Sequence, residues 1–372
     1  MKKVLFCLSL FTVIISSAQQ HPYMIVGTYT KGSSKGVYVY DFNPSTGSAT
    51  IIDSAITSNP SYLAISPNQR FVYAVNEDVH NGSGGKITSY LFDKKTGHLK
   101  QLNQVSSAGD APCYISVDKT GRWVVVGNYV SGTLAVVALN KDGSLGRLVD
   151  SIHHKGSGPN KIRQEGPHVH CTYITPDNKF VLVPDLGIDK VSIYSFNDQT
   201  GRLKSAAEPF IHLKDGSGPR HIVIHPNGRW AYLAQELSAT VTAFDYHNGS
   251  LKIIETVSTL PKDYKGSFTT ADVHVSPDGH FLYVSNRDQS NTLAIFRIDS
   301  KTGMLTNIGF QSTMGSAPRN FSFDPGGNYL VAANQNSNNI VVYRVNHQTG
   351  LLQPLNSQIS VGNPVCVKWI TR

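Results

Sequence analysis

The residues of this chain that can do chemistry stand singly and far apart, but they recur at two fixed places in a repeated pattern. One place follows a proline-like position that opens an alternating apolar run. It holds Ser61, Cys113, His170, Arg220, Ala271, Arg319 and Val365. The other closes the next apolar run, at Asn76-Glu77, Asn128-Tyr129, Asp185, Gln235-Glu236, Asn286-Arg287 and Asn334-Gln335. The four asparagines are read as turn residues that satisfy backbone groups. The charged members differ. Arg220, Arg287 and Arg319 with Glu77, Glu236 and His170 would be a costly group to gather unless a ligand used it. His168 and His170 have the i,i+2 spacing that puts two imidazoles on one strand face, but no third ligand is evident, so no metal is expected. There is no P-loop and no GxGxxG, and no serine or cysteine is placed by motif for covalent catalysis. NGSGG at Asn81 and GSG at Gly216 are read as plain loops.

The elements that position these residues follow from the repeat itself. NPSYLAISPNQRFVYAVNE from Asn59 recurs as APCYISVDKTGRWVVVGNY from Ala111, PHVHCTYITPDNKFVLVPD from Pro167 and GPRHIVIHPNGRWAYLAQE from Gly218. It recurs again as TADVHVSPDGHFLYVSNR from Thr270 and APRNFSFDPGGNYLVAANQ from Ala317. Each copy is an alternating strand, a Pro/Asp/Gly turn and a second apolar strand. A third strand, a tight turn with glycine and a fourth strand come next. The turn glycines are Gly47, Gly97, Gly143, Gly201, Gly249, Gly303 and Gly350, spaced 50, 46, 58, 48, 54 and 47 apart. Period-2 alternation with β-branched and aromatic enrichment means strands, and no sustained 3.6-residue period appears. Four short strands at a period near 50 is the signature of a β-propeller blade. The sequence therefore predicts an all-β, seven-bladed propeller with four antiparallel strands per blade. Its last blade is shared: GNPVCVKWITR supplies the first strand and HPYMIVGTYT with KGVYVYDFNPSTG the next two, closing the ring and leaving no open edge. Cutting either terminus is expected to destabilise it.

The N-terminus reads as separable. Met1-Lys2-Lys3, the apolar run Val4 to Ile15 and Ser16-Ser17-Ala18 have the form of a secretory signal, too short to span a bilayer. This predicts a signal peptide at 1–18, one propeller domain at 19–372, and a periplasmic or secreted protein with no membrane span. The whole chain carries 33 Lys+Arg against 25 Asp+Glu; without Lys2 and Lys3 the balance is 31 − 25 = +6. The basic residues are scattered, which excludes the stripe or arm of a nucleic-acid protein and suits an anionic small ligand. Cys113, Cys171 and Cys366 form no CxxC pair and are read as buried, apolar-like cysteines. A closed ring needs no partner, so a monomer is expected.

In an antiparallel hairpin the start of the first strand lies beside the end of the second. In a propeller the first strand is innermost. The two recurring places therefore meet at one mouth of the central channel and form a pocket.

GPRHIVIHPNGRWAYLAQELSATVTAF, PHVHCTYITPDNKFVLVPDLGIDKVSIYSF and HVSPDGHFLYVSNRD resemble the lactonase family of seven-bladed propellers. That family takes in propeller-type 6-phosphogluconolactonases and carboxy-muconate cycloisomerases. The resemblance covers essentially the whole chain after the signal. It implies lactone ring opening or the related ring closure, without metal or organic cofactor, on a small lactone such as an anionic sugar derivative. It places catalytic roles on His170, Arg220, Glu236 and Arg287, the same four that strand-end geometry selects. His170 or Glu236 would serve as general base, and Arg220 or Arg287 would hold an oxyanion, carboxylate or phosphate. Arg319, Glu77, Asp185 and His168 are expected to contact substrate. The export signal sets this chain apart from relatives whose phosphorylated sugar lactone is made in the cytoplasm. A non-catalytic ligand- or partner-binding propeller and a muconate-type cycloisomerase are the alternatives.

Overall fold

The computed structural model describes residues 21–79 and 84–372. The signal segment at 1–18 and part of the NGSGG loop lie outside the described residues. Twenty-eight strands form seven four-stranded antiparallel sheets, as the glycine spacing predicts. Blades 1 to 6 run through residues 63–106, 112–153, 173–212, 219–258, 270–312 and 318–360, each in chain order from the channel outward. Blade 7 takes its innermost strand from Pro364–Ile370 and its other three from Tyr23–Thr28, Gly36–Asn43 and Ser48–Ile56. The seam is a full ladder, with Met24 opposite Trp369 and Val26 opposite Val367.

Burial follows strand order. The second strands are almost wholly buried, as in Phe71–Asn76, Trp230–Gln235 and Tyr329–Asn334. The outermost strands alternate between half-buried and exposed positions. Side chains of adjacent blades interdigitate between the sheets; Trp230, Tyr232 and Ala234 of blade 4 pack with Val273, Leu282 and Val284 of blade 5.

The turn glycines do more than close hairpins. Gly143 of blade 2 has φ +83°, and a Cβ there would stand 2.1 Å from the Phe71 ring of blade 1. Gly201 of blade 3 has φ +72° and would meet Trp123 of blade 2 at 2.6 Å. Each such turn thus seats an aromatic ring from the preceding blade, which explains why the glycine recurs when the surrounding sequence does not.

Candidate active site

The inward side chains are aimed by a device common to most blades. In blade 4 the register passes from Pro219↔Gln235 to His221↔Ala234, leaving Arg220 unpaired. The same slip leaves out Cys113 in blade 2, Arg319 in blade 6 and Val365 in blade 7. In blade 5 it falls between Thr270 and Val273. A β-bulge turns its extra residue off the sheet face, here toward the channel. The residue ahead of the proline is left-handed at each site: Ala111 φ +50°, Gly218 φ +65°, Ala317 φ +57° and Asn363 φ +41°. In blade 3 the first strand shrinks to Tyr173–Ile174, and His170 hangs from the second strand through its N–H to Pro184 O.

These residues surround a cavity of about 470 Å³, lined by Tyr29, Glu77, Cys113, Tyr129, Arg163, His170, Glu236, Thr269, Arg287, Asp288 and Arg319. Its centre is Glu236. Arg163 Nη2 donates to Glu236 Oε1 at 2.5 Å. Arg220 Nε donates to Oε2 at 2.9 Å, and Arg287 Nη2 lies 3.0 Å from the same oxygen. His170 Nε2 is 3.9 Å from Oε2, beyond hydrogen-bond reach. Burial alone would raise the Glu236 pKa, but the guanidiniums of Arg287, Arg220 and Arg163 outweigh it and hold the carboxyl at about 2. Burial, reinforced by the charge of Arg220, pushes the His170 imidazole well below its usual range, so it is neutral at pH 7. Burial also lowers Arg287 to about 10, against the attraction of Glu236. Arg287 Nε is buried with no hydrogen-bond partner, a donor left pointing at nothing.

The opposite wall is a smaller cluster. Tyr29 donates its hydroxyl to Glu77 Oε2 at 2.9 Å. Arg319 lies over the Tyr29 ring at 5.3 Å, with Nη2 3.9 Å from Glu77 Oε1. Burial drives the Tyr29 hydroxyl pKa far up, so it stays a donor.

The structure therefore brings His170, Glu236, Arg287, Arg319 and Glu77 to one cavity. Arg220 is the support beneath Glu236; its side chain is 1% exposed, and Nη1 donates to Ala271 O. Two of the expected substrate contacts lie outside the cavity. Asp185 does not line the cavity: its Oδ1 accepts from the N–H groups of His168 and Gly187, and its Oδ2 lies 2.7 Å from His154 Nδ1. It does in blade 3 what Asn128, Asn286 and Asn334 do in theirs, where Nδ2 pins a carbonyl of the connection entering the blade. His168 lies one layer out, stacked on Tyr129 at 4.4 Å and bonded through Nδ1 to Tyr129 O. The three cysteines are buried and free, as expected.

Five lining residues have no role in the sequence reading: Thr269, Asp288 and three that touch the charged clusters, Tyr129, Tyr29 and Arg163. Tyr129 closes a strand, as the repeat shows, but its type gives it no role there. Tyr29 occupies the equivalent place in blade 7, hidden because that strand comes from the start of the chain. Arg163 belongs to no repeat position. It sits in the connection from blade 2 to blade 3, and the only sign of that excursion is the interval of 58 residues between Gly143 and Gly201, the longest of the six.

The comparisons agree with this architecture. The model of the family described as Lactonase, 7-bladed beta-propeller, matches residues 23–369. A 6-phosphogluconolactonase of Bacillus subtilis (strain 168) is 37% identical over 350 residues, 93% of this chain and 97% of that protein. A 6-phosphogluconolactonase of Formosa agariphila is 36% identical over 318 residues, 84% of this chain and 89% of its own. The structure of a periplasmic gluconolactonase from Pseudomonas aeruginosa superposes with a TM-score of 0.89 at 38% identity, covering 94% of this chain and 99% of that one. The chain belongs to the seven-bladed β-propeller lactonase family.

Proposed function

We propose that this protein is a lactone hydrolase of the 6-phosphogluconolactonase type, opening a sugar lactone by direct attack of water at the channel mouth. The observation that carries the reading is a buried carboxylate ringed by three guanidiniums beside a buried neutral imidazole, with the carboxylate, the imidazole, Arg163 and Arg287 lining one small cavity. Hydrolysis needs a proton acceptor for water, stabilisation of the tetrahedral oxyanion, and a proton for the ring oxygen as its bond to the carbonyl carbon breaks. His170 is assigned the first and last tasks by position, as the neutral imidazole lining the cavity; its lowered basicity makes it a weak base in the free site. Glu236 is held too acidic for a base; its part is to fix the guanidiniums in place. Arg287, which lines the cavity with Nη2 beside Glu236, is placed to receive the oxyanion or a substrate carboxylate. Tyr29, Glu77 and Arg319 supply donors and acceptors for sugar hydroxyls.

We further infer that the protein is exported, from the signal-like sequence at 1–18 and from the periplasmic relative, and that it acts as a monomer. No helix among the described residues is long and apolar enough to cross a membrane.

The test is proton release in a pH-stat from purified protein with glucono-δ-lactone and its 6-phosphate. Release above the spontaneous rate, lost in Glu236→Gln and His170→Ala, supports the reading. Release at the spontaneous rate with every lactone overturns it and favours a binding platform. Ring closure of an unsaturated dicarboxylate without lactone hydrolysis would make it a cycloisomerase.

A further inference from the structure

Blade 2 brings a thiol to the imidazole of blade 3. The register of its first two strands passes from Pro112↔Asn128 to Tyr114↔Gly127 and leaves Cys113 facing the channel. Blades 4 and 6 present Arg220 and Arg319 from the same place. Cys113 Sγ lies 3.7 Å from His170 Nδ1, and both residues line the cavity. The imidazole is gripped on two further sides. Tyr129 of blade 2 meets it edge to face at 5.3 Å, and His221 of blade 4 meets it at 5.3 Å. The side chain of His170 is 4% exposed, so its neighbours and not bulk water decide which ring nitrogen carries the proton.

The neighbours give one answer. A thiol has one proton to give. Cys113 keeps its own, because burial drives its pKa well up. Three acceptors surround the sulfur: Val169 O at 3.6 Å, His170 O at 3.7 Å and His170 Nδ1. The bridge between Val169 and Asp185 is closed by His170 N to Pro184 O and Leu186 N to His168 O. That leaves the Val169 carbonyl off the ladder and facing the sulfur. A carbonyl oxygen can only accept, whereas a neutral imidazole nitrogen can be donor or acceptor. With the S–H on Val169 O, the sulfur lone pairs face Nδ1, and Nδ1 carries the ring proton. Nε2 is then bare. It faces Glu236 Oε2 at 3.9 Å, too far for an N–H there to find a bond, and that oxygen already takes Arg220 Nε and Arg287 Nη2.

We propose that Cys113 is a positioning residue that accepts the Nδ1–H of His170 and thereby holds the imidazole in the tautomer with a bare Nε2. The sulfur does this without charge; a carboxylate in its place would add a buried anion to a cavity that already holds Glu77 and Glu236. The consequence for hydrolysis rests on the lactonase reading. Nε2 takes a proton from the attacking water and returns it to the ring oxygen, while Nδ1–H stays on the sulfur. The tautomer itself does not depend on turnover.

The test therefore reads the tautomer first, by nitrogen NMR of protein labelled with 15N at histidine, with the His170 ring assigned by its loss in His170→Ala. At pH 7 the expected wild-type spectrum shows Nδ1 protonated and Nε2 bare. In Cys113→Ala that preference is lost, and kcat for the lactone falls about tenfold or more with KM little changed. Cys113→Ser restores both, since a hydroxyl can give its proton to Val169 O and accept from Nδ1. A thermal melt of each variant confirms folding; if Cys113→Ala does not fold, Cys113→Val, closer in volume, makes the same comparison. His170 protonated at Nε2 in the wild type overturns the proposal, as does an unchanged tautomer or an unchanged kcat in the apolar variant. The Nδ1–H tautomer, lost in that variant, in a protein that turns over no lactone would keep the role of Cys113 and sink the lactonase reading instead.

Discussion

Two buried carboxylates occupy the channel, and they teach opposite lessons. Asp272 of blade 5 sits below Arg220. Its Oδ1 accepts from His221 Nδ1 at 2.7 Å and Val273 N at 3.0 Å, and its Oδ2 from His274 Nε2 at 3.0 Å and Asn320 Nδ2. Four donors fill the four lone-pair sites of a carboxylate, and nothing is left over. Asn320 Oδ1 in turn accepts from Val367 N, so this one group ties blades 4, 5, 6 and 7 together. Glu236, equally buried, has surplus positive charge, an unpartnered donor beside it and a cavity in front of it. A saturated buried anion reads as architecture; an unbalanced one facing a cavity reads as a site. Arg220 joins the two, because His221 gives its Nδ1 proton to Asp272 and so presents the Nε2 lone pair to Arg220 Nη1.

Substitution at the two carboxylates should separate these roles. Glu236→Gln is expected to lower turnover by about 10²-fold or more, measured by pH-stat, because the guanidiniums lose the charge that orients them. His170→Ala should cost a similar factor of about 10² with a thermal midpoint close to the wild type. Asp272→Asn should act on stability first, by about 3 kcal/mol in denaturant titration, since it leaves the donors of His221, His274 and Asn320 facing an amide. If Asp272→Asn costs activity alone, the contrast drawn above fails.

Acid sharpens the comparison. His221 is pushed down to about 4, chiefly by burial and then by Arg220, and His170 is lowered in the same direction. The unfolded chain therefore binds protons below about pH 6.5 that the folded chain does not, and stability falls as pH drops from there toward 4. Glu236, held at about 2, contributes stability that is present above the ordinary carboxyl pKa and lost as pH falls through 4 toward 2. Melting curves between pH 7 and 4 should shift steadily downward; a flat profile would mean that His170 and His221 are charged in the native state. The smallest expected effect is at the bulge. Ala317 carries φ +57°, so Ala317→Gly should stabilise by up to about 1 kcal/mol by relieving a left-handed alanine.

The fold was legible because each blade restates the same alternation and the same turn glycine, and the structure adds only that the glycine also seats a neighbour's ring. The site was legible as far as it obeys the repeat. His170, Glu236, Arg287, Arg319 and Glu77 lie at repeat positions and meet as predicted. Asp185 misled because a strand-closing carboxylate and a strand-closing amide look alike in sequence, and only the His168 and Gly187 N–H groups reveal that it is turned inward to the backbone. Arg163 was out of reach because a side chain delivered by an irregular connection leaves no period to read.

The seam of blade 7 has a consequence for how the molecule is made. Val26 pairs with Val367, residues separated by 367 − 26 = 341 positions. Blades 1 to 6 are each local in sequence and can form as soon as their own strands exist, but the seventh waits for Pro364–Ile370. Until Pro364–Ile370 arrives, the inner edge of Tyr23–Thr28 stays unpaired and blade 7 is incomplete. The strand that completes the propeller is therefore also a checkpoint on synthesis: a product cut short before Pro364 leaves the edge of Tyr23–Thr28 open, visible to proteases and chaperones as unfinished.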